Sequence, residues 1–171
     1  MRDGRRIGLG VLLAGLVASE ALAVTATPVF VQTPRLGRIQ LLNGTGAYAI
    51  ASGGATVSGT LAAYTCTVAA KITGMIAAGN DTVARDLTVF MVPASNIPYI
   101  LTTVTVPITA GQVAGTPPVN LLSQANTPGL PVDSDGNPFL LCEAGDVIRV
   151  GVKVAVSATL LISVLTVAQD F

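Results

Sequence analysis

Carboxylates in two turn-like segments are the residues of this chain that could do chemistry. Asp133 and Asp135 lie in the sequence DSDGN, which ends at Asn137, and Glu143 and Asp146 lie in the sequence EAGD. A carboxylate pair can serve glycoside hydrolysis when it flanks a sugar cleft. The chain has four Phe, three Tyr and no Trp to line such a cleft. Since Asp and Gly are also common turn residues, we expect solvated turns at both places.

The spacing of Asp133, Asp135 and Asn137 is also that of the first ligands of a calcium loop. Such a loop ends on a glutamate at its twelfth position, and Ala144 stands there. These three residues are therefore a weak calcium candidate. We predict no other metal and no cofactor.

Histidine is absent from the chain. This excludes Ser-His-Asp and Cys-His catalysis and any imidazole-ligated metal site. Nine basic residues balance nine acidic ones, so no excess of positive charge attracts nucleic acid. The composition therefore predicts a protein that is not an enzyme, has no catalytic residues and does not bind nucleic acid.

The two cysteines, Cys66 and Cys142, both lie in apolar, strand-like runs. Free cysteines are among the most buried residue types, which favours two buried thiols. In an oxidising compartment the same residues could form one disulfide. Both interpretations stay open at the level of sequence, because a bridge depends on the distance between the two Cα atoms.

Charge is scarce over long stretches. Residues 39–70 and residues 87–132 carry no charged side chain, and charged residues make up 11% of the chain, against roughly 25% in an ordinary soluble domain. Charge keeps a free monomer dispersed in water. A β-rich chain with so little of it is expected to be covered by copies of itself or by another assembly.

Residues 1–26 have the pattern of a secretory signal. Three arginines, at positions 2, 5 and 6, precede the apolar run Ile7–Ala18, and Ala21-Leu22-Ala23 resembles a cleavage site. The apolar run is short for a membrane span, so no membrane association is expected of the mature form. The segment could also be a retained arm that packs on a neighbouring subunit, or the product of a start codon assigned too far upstream.

Residues 27–171 predict a single all-β domain. Apolar runs, several with alternating polarity, are separated by turns rich in Gly, Pro and Asp, which is typical of an antiparallel β-sandwich, here jelly-roll-like with about eight strands. Several strands are apolar on both sides, so the outer face of one sheet is expected to be covered. Besides short edge pieces in 27–42, the expected strands are Tyr48–Ile50, Thr65–Ile76, Leu87–Val92, Tyr99–Ile108, Phe139–Cys142, Val147–Val156 and Thr159–Ala168.

Residues 77–86 are expected to be a turn, and residues 110–138, with five prolines, a long loop. Loops of that length are usually functional or disordered. The uncharged part, Ala110–Val132, lies outside every predicted strand. We therefore expect it to be the contact through which the protein assembles.

Short motifs resemble a group of small β-sandwich proteins encoded in the head-gene region of tailed bacteriophages. They are Thr27-Pro28-Val29-Phe30 with Thr33-Pro34, the turn Asn43-Gly44-Thr45-Gly46, and the terminal Asp170-Phe171. The resemblance implies a virion protein on the capsid surface, a decoration or cement subunit that forms trimers and binds a major capsid protein. The signal-like leader and the length of the 110–138 loop depart from this pattern. The alternative is a secreted or surface-exposed bacterial β-sandwich subunit of a fibre or adhesin.

Overall fold

The computed structural model describes residues 33–51, 56–95 and 97–171. Almost all regular structure there is β-strand, with one short 3₁₀ turn at Asn43–Thr45. The leader predicted at residues 1–26 lies outside the described residues. The strands are β1 (Thr33–Leu42), β2 (Ala49–Ile50), β3 (Val57–Ser58), β4 (Thr60–Thr65), β5 (Ala70–Gly79), β6 (Arg85–Val92), β7 (Tyr99–Val106), β8 (Val119–Asn120), β9 (Leu140–Cys142), β10 (Val147–Val152) and β11 (Leu161–Asp170).

Two antiparallel sheets form the body of the domain, which confirms the predicted all-β class. The first sheet has the order β1-β11-β5, and both β8 and β9 pair with the free side of β5. The second sheet has the order β4-β10-β6-β7. The short strands β2 and β3 form a separate hairpin.

Alternating side chains build the core between the sheets. Along β11 every second residue is buried, and the residues between them are half-buried on the outer face. The same period of two holds in β10, where Ile148 and Val150 are fully buried. Other fully buried large side chains are Leu41, Ile72, Met75, Leu87, Val89, Leu121, Leu122, Val152 and Ile162.

Part of the outer face of the second sheet is covered as well. Thr88 and Phe90 of β6 point outward, yet neither is exposed. The ring of Tyr48 packs edge-on against Phe90, with 5.1 Å between the ring centroids. Opposite Thr88, Gly151 leaves space for this segment, since a Cβ there would lie 2.9 Å from the Tyr48 Cβ. The outer face of this sheet is therefore covered at β6 and β10, whereas Thr103 and Thr105 on β7 are exposed.

The two sheets come closest where β1 crosses β4. Gly37 of β1 faces the backbone of Ala63, and a Cβ at position 37 would lie 1.9 Å from the Ala63 carbonyl oxygen. Arg35 of the same strand donates a hydrogen bond to Asp170, whose other carboxylate oxygen accepts one from Tyr64 of β4. The lack of a side chain at Gly37 therefore lets β1 approach β4 closely, and the hydrogen bonds of Asp170 with Arg35 and Tyr64 link β1 to the second sheet.

Several predicted boundaries were wrong. The expected strand Thr65–Ile76 is divided by a turn at 66–69, and residues 77–79 extend β5, so the turn predicted at 77–86 spans 80–84. The expected strands Tyr99–Ile108 and Val147–Val156 end at Val106 and Val152. Eleven strands are present among the described residues, where about eight were expected, and three of them have two residues each.

Candidate assembly surfaces

The predicted contact segment, Ala110–Val132, is partly core, which corrects the expectation that it lies outside any strand. Val119–Asn120 form β8, which pairs with Ile76 and Ala77 of β5. Leu121 and Leu122 are 0% and 1% exposed, and the Leu121 backbone N–H donates to the Met75 carbonyl. The absence of charge at Leu121 and Leu122 therefore follows from their burial within the domain and needs no partner.

The two ends of the segment remain exposed. Residues 111–115 form a tight turn, in which Val113 is bridged to Thr116 and half of its side chain is exposed. Val132 is similarly exposed at the other end. Together with exposed residues in the middle of the segment, such as Gln124 and Pro128, these ends can still contact another molecule.

The larger apolar surface is the outer face of the first sheet, which we call the β1–β11–β5 face. Leu36 of β1, 56% exposed, lies opposite Val167 of β11. Leu165 of β11 lies opposite Ile76 of β5, so the apolar side chains continue across three strands. Monomeric proteins rarely expose wide apolar patches, and such patches mark contact sites. A cleft of about 450 Å³ between β1 and β11 is lined by Arg38, Ile39, Gln40, Ser163, Val164 and Leu165.

A buried carboxylate, Asp81, organises the loops at one end of the sandwich. It is 3% exposed and forms an ion pair with Arg85, with 2.7 Å between Nε and Oδ2. The hydroxyl and the backbone N–H of Ser157 and the backbone N–H of Val83 also donate to this carboxylate. Burial disfavours the charged form, but the hydrogen bonds from Arg85 and Ser157 outweigh it and hold the pKa of Asp81 well below its usual range.

Three loops at this end are tied together through Asp81. Its backbone carbonyl accepts a hydrogen bond from the Thr109 N–H, which joins the loop after β7 to the β5–β6 and β10–β11 loops. These loops expose aliphatic side chains, among them Val83, Ile108 and Val154. No local pattern in the sequence indicates this network, since Asp81 and Ser157 are 76 residues apart.

The weak calcium candidate is a turn in which the carboxylate of Asp133 already accepts hydrogen bonds. Asp133 Oδ1 accepts hydrogen bonds from the backbone N–H groups of Asp135 and Asn137. Its Oδ2 lies 3.6 Å from Nζ of Lys71, which also sits 4.4 Å from the centroid of the Phe139 ring. Chiefly because of the hydrogen bond from Asn137, the pKa of Asp133 is lowered. The arrangement anchors the turn to β5 and leaves Asp133 engaged with backbone donors and an ammonium group.

The other carboxylate pair, Glu143 and Asp146, also closes a turn. Asp146 is buried and accepts a hydrogen bond from the Glu143 backbone N–H, while Glu143 is exposed. The two side chains therefore have different environments, and Asp146 has a structural partner. Among the described residues, no group of three or more His, Cys, Asp or Glu side chains could hold a metal ion.

Cys66 and Cys142 are brought together in a disulfide, with 6.3 Å between their Cα atoms. Both are buried, at 0% and 3% exposure. The bridge connects the end of β4 in the second sheet to β9 in the first. It thereby links the two sheets at the end opposite the Asp81 network.

Asp170 is the centre of a second hydrogen-bond network. The hydrogen bond from Tyr64, followed by that from Arg35, lowers the pKa of Asp170. Burial and the same hydrogen bond raise the pKa of Tyr64 to about 12. The motif Asp170-Phe171 thus has a structural role here, because it fastens β11 to β1 and β4.

In the part of the chain that the structure describes, no helix has the length and apolar character needed to cross a membrane. Comparisons with models of known protein families, with curated proteins and with solved structures find no match.

Proposed function

We propose that this protein is a non-enzymatic structural subunit that decorates and stabilises a viral capsid. The observation that carries the proposal is the β1–β11–β5 face, where aliphatic side chains from three adjacent strands point away from the core. Leu36 and Ile76 on it are 56% and 40% exposed. A face of this kind is suited to burial against another protein surface.

The strand pairing supports the jelly-roll part of the proposal. Taking the eight strands of three or more residues in chain order, the first pairs with the eighth, the second with the seventh, the third with the sixth and the fourth with the fifth. This nested pairing is expected when a long antiparallel hairpin rolls up into two sheets. Jelly rolls occur in viral capsid proteins and also in lectins and cupins, so this support is an analogy at the level of fold.

The mechanism would be adhesive. Burying apolar surface contributes roughly 25 cal/mol per Å², and stable obligate interfaces bury upwards of about 2,000 Å². The partners would be further copies of this chain, for which the resemblance implies a trimer, and a major capsid protein. The site of action would be the outer surface of the virion.

A binding experiment with expanded heads tests the proposal. The heads are assembled from the major capsid protein encoded nearest to this gene, and the full chain is added before sedimentation. We expect the wild type to sediment with the heads and Leu36→Glu to bind at least about tenfold more weakly. Val68→Glu, which adds the same charge at an exposed position in the β4–β5 turn, is the matched control. No binding by the wild type, or equal binding by both variants, would contradict the proposal.

A second candidate function is a secreted or surface-exposed subunit of a bacterial fibre or adhesin. The Cys66–Cys142 disulfide favours it, because disulfides persist in oxidising environments, and the signal-like leader agrees with export. Virion surfaces are oxidising too, so the disulfide does not exclude the first candidate. N-terminal sequencing of the native protein separates them. A start at or near Val24 supports export, and an intact leader supports the virion.

A further inference from the structure

The edges of the two sheets differ in how well they are protected from pairing with another strand. Edge strands are commonly blocked by charge, proline, shortness or a covering segment. β1 carries Pro34, Arg35 and Arg38, and β8 and β9 have two and three residues. β4 has β1 packed against it at Ala63. Three of the four edges are therefore protected.

Among the described residues, the fourth edge, β7, is less protected, and the loop at Asn126 contacts it through a hydrogen bond from the buried Thr102 hydroxyl to the Asn126 carbonyl. Its eight residues, YILTTVTV, include no charge and no proline. β7 pairs with β6 alone, and among the described residues no other backbone hydrogen bond reaches it. Tyr99 and Ile100 at its start are 56% and 55% exposed. An edge that is long, uncharged and apolar is a template for a further strand.

We propose that β7 pairs antiparallel with β7 of a second copy of this chain, joining two second sheets into one continuous eight-stranded sheet. This inference rests on the proposed function, since it supplies a contact through which copies associate. The interface is isologous, so the same patch serves both subunits. It joins copies in pairs and therefore predicts a dimer as the first associated species, in place of the trimer that the resemblance implies.

The charge pattern selects a second copy as the occupant. Like charges placed directly opposite each other destabilise a strand pair. An uncharged β7 meets no such repulsion from itself, whereas β1 paired with itself would bring arginines together. β7 is also rich in β-branched residues, and Thr–Thr pairs across strands are favourable.

The alternation of side chains restricts the register. Thr102, Val104 and Val106 are buried toward the core, while Thr103 and Thr105 point outward. Directly opposed residues of an antiparallel pair lie on the same face of the sheet. The pairing therefore places Thr103 opposite an outward residue of the second copy, such as Thr103 or Thr105.

Sedimentation of Thr103→Lys tests the contact, with Thr65→Lys as the matched control. Thr65 is exposed on β4, the opposite edge strand of the same sheet, so both variants gain the same charge. A lysine at position 103 faces outward threonines, or another lysine, about 5 Å away across the pair. We expect the dimer dissociation constant to rise more than about tenfold in Thr103→Lys and to change less than about twofold in Thr65→Lys.

Hydrogen exchange on the wild type provides a second measurement that does not depend on a variant folding. As the protein concentration rises, amides of β7 should become protected while those of β1 do not. Equal dissociation constants for the two variants, a trimer as the first associated species, or β7 amides protected only by a different protein would overturn the inference. If the chain binds heads with β7 unprotected, the inference fails and the proposed function stands. If the chain is monomeric at every concentration and ignores heads, both fail.

Discussion

Replacing Gly37 by alanine tests how the two sheets close against each other where β1 crosses β4. The added Cβ would lie 1.9 Å from the Ala63 carbonyl oxygen and 3.1 Å from its carbon, whereas real Cβ contacts are essentially never shorter than 3.0 Å. The atom in the way is backbone within a paired strand, so it cannot rotate aside. The two strands must separate by about 1 Å, which loosens the packing around them.

The cost can be worked from this geometry. Overpacking costs about 1–3 kcal/mol, and we expect the upper end because backbone must move. Alanine recovers about 0.4–1 kcal/mol by restricting the unfolded chain, which leaves a net loss of about 2 kcal/mol. In a protein of this size that lowers Tm by about 6 °C.

Urea and thermal unfolding, followed by circular dichroism under non-reducing conditions, measure the effect. Gly74→Ala is the matched control, since Gly74 also lies within a strand of the first sheet and its Cβ would make only an ordinary 3.9 Å contact with Val167. We expect Gly74→Ala to stay within about 0.5 kcal/mol of the wild type. A Gly37→Ala protein as stable as Gly74→Ala would refute the close approach of β1 and β4.

Three further predictions concern the interior. Asp81→Asn should lose about 3 kcal/mol of unfolding free energy at neutral pH, because Arg85 is left without its ion-pair partner. The folded pKa of Asp81 is depressed, so the stability that its charged form contributes is present above the unfolded pKa of about 3.9 and declines as the pH falls from there toward the folded pKa. The unfolding free energies of the two proteins, measured in urea, should therefore converge in acid. A gap that stays constant with pH would contradict this. Leu121→Ala should lower the free energy of unfolding by about 2–5 kcal/mol in the same assay, whereas Val113→Ala should lower it by less than about 0.5 kcal/mol. Equal losses would mean that residues 110–132 do not enter the core. Replacing both Cys66 and Cys142 by serine should cost about 2–5 kcal/mol, because the bridge closes a loop with a sequence separation of 76 residues, and an unchanged midpoint in non-reducing urea would argue against the disulfide.

The sequence predicted those parts of the fold in which the polarity of the side chains alternates along a strand. The strand predicted at Val147–Val156 alternates, so the face that carries Ile148 and Val150 could be told from the other face, and both of these residues are fully buried. The break between β4 and β5 could not be predicted in this way, because the apolar run continues through it. It is set by distant contacts, in which Cys66 donates its backbone N–H to the Asp146 carbonyl and accepts a hydrogen bond from Gly145.

The candidate surfaces were less accessible to sequence reasoning. Lack of charge drew attention to Ala110–Val132, but an uncharged segment can be buried inside its own domain as well as against a partner. Leu121 and Leu122 belong to the first case. The β1–β11–β5 face depends on strand neighbours more than 100 residues apart, such as Leu36 and Val167. No local pattern in the sequence indicates that these distant strands pair.

Analytical ultracentrifugation of the full chain, alone over a wide concentration range and then with expanded heads, tests the central claim most directly. The proposed function predicts that the 17.2 kDa chain associates with itself as its concentration rises and sediments with the heads. A chain that remains a monomer at every concentration and stays in the supernatant when heads are pelleted would contradict it.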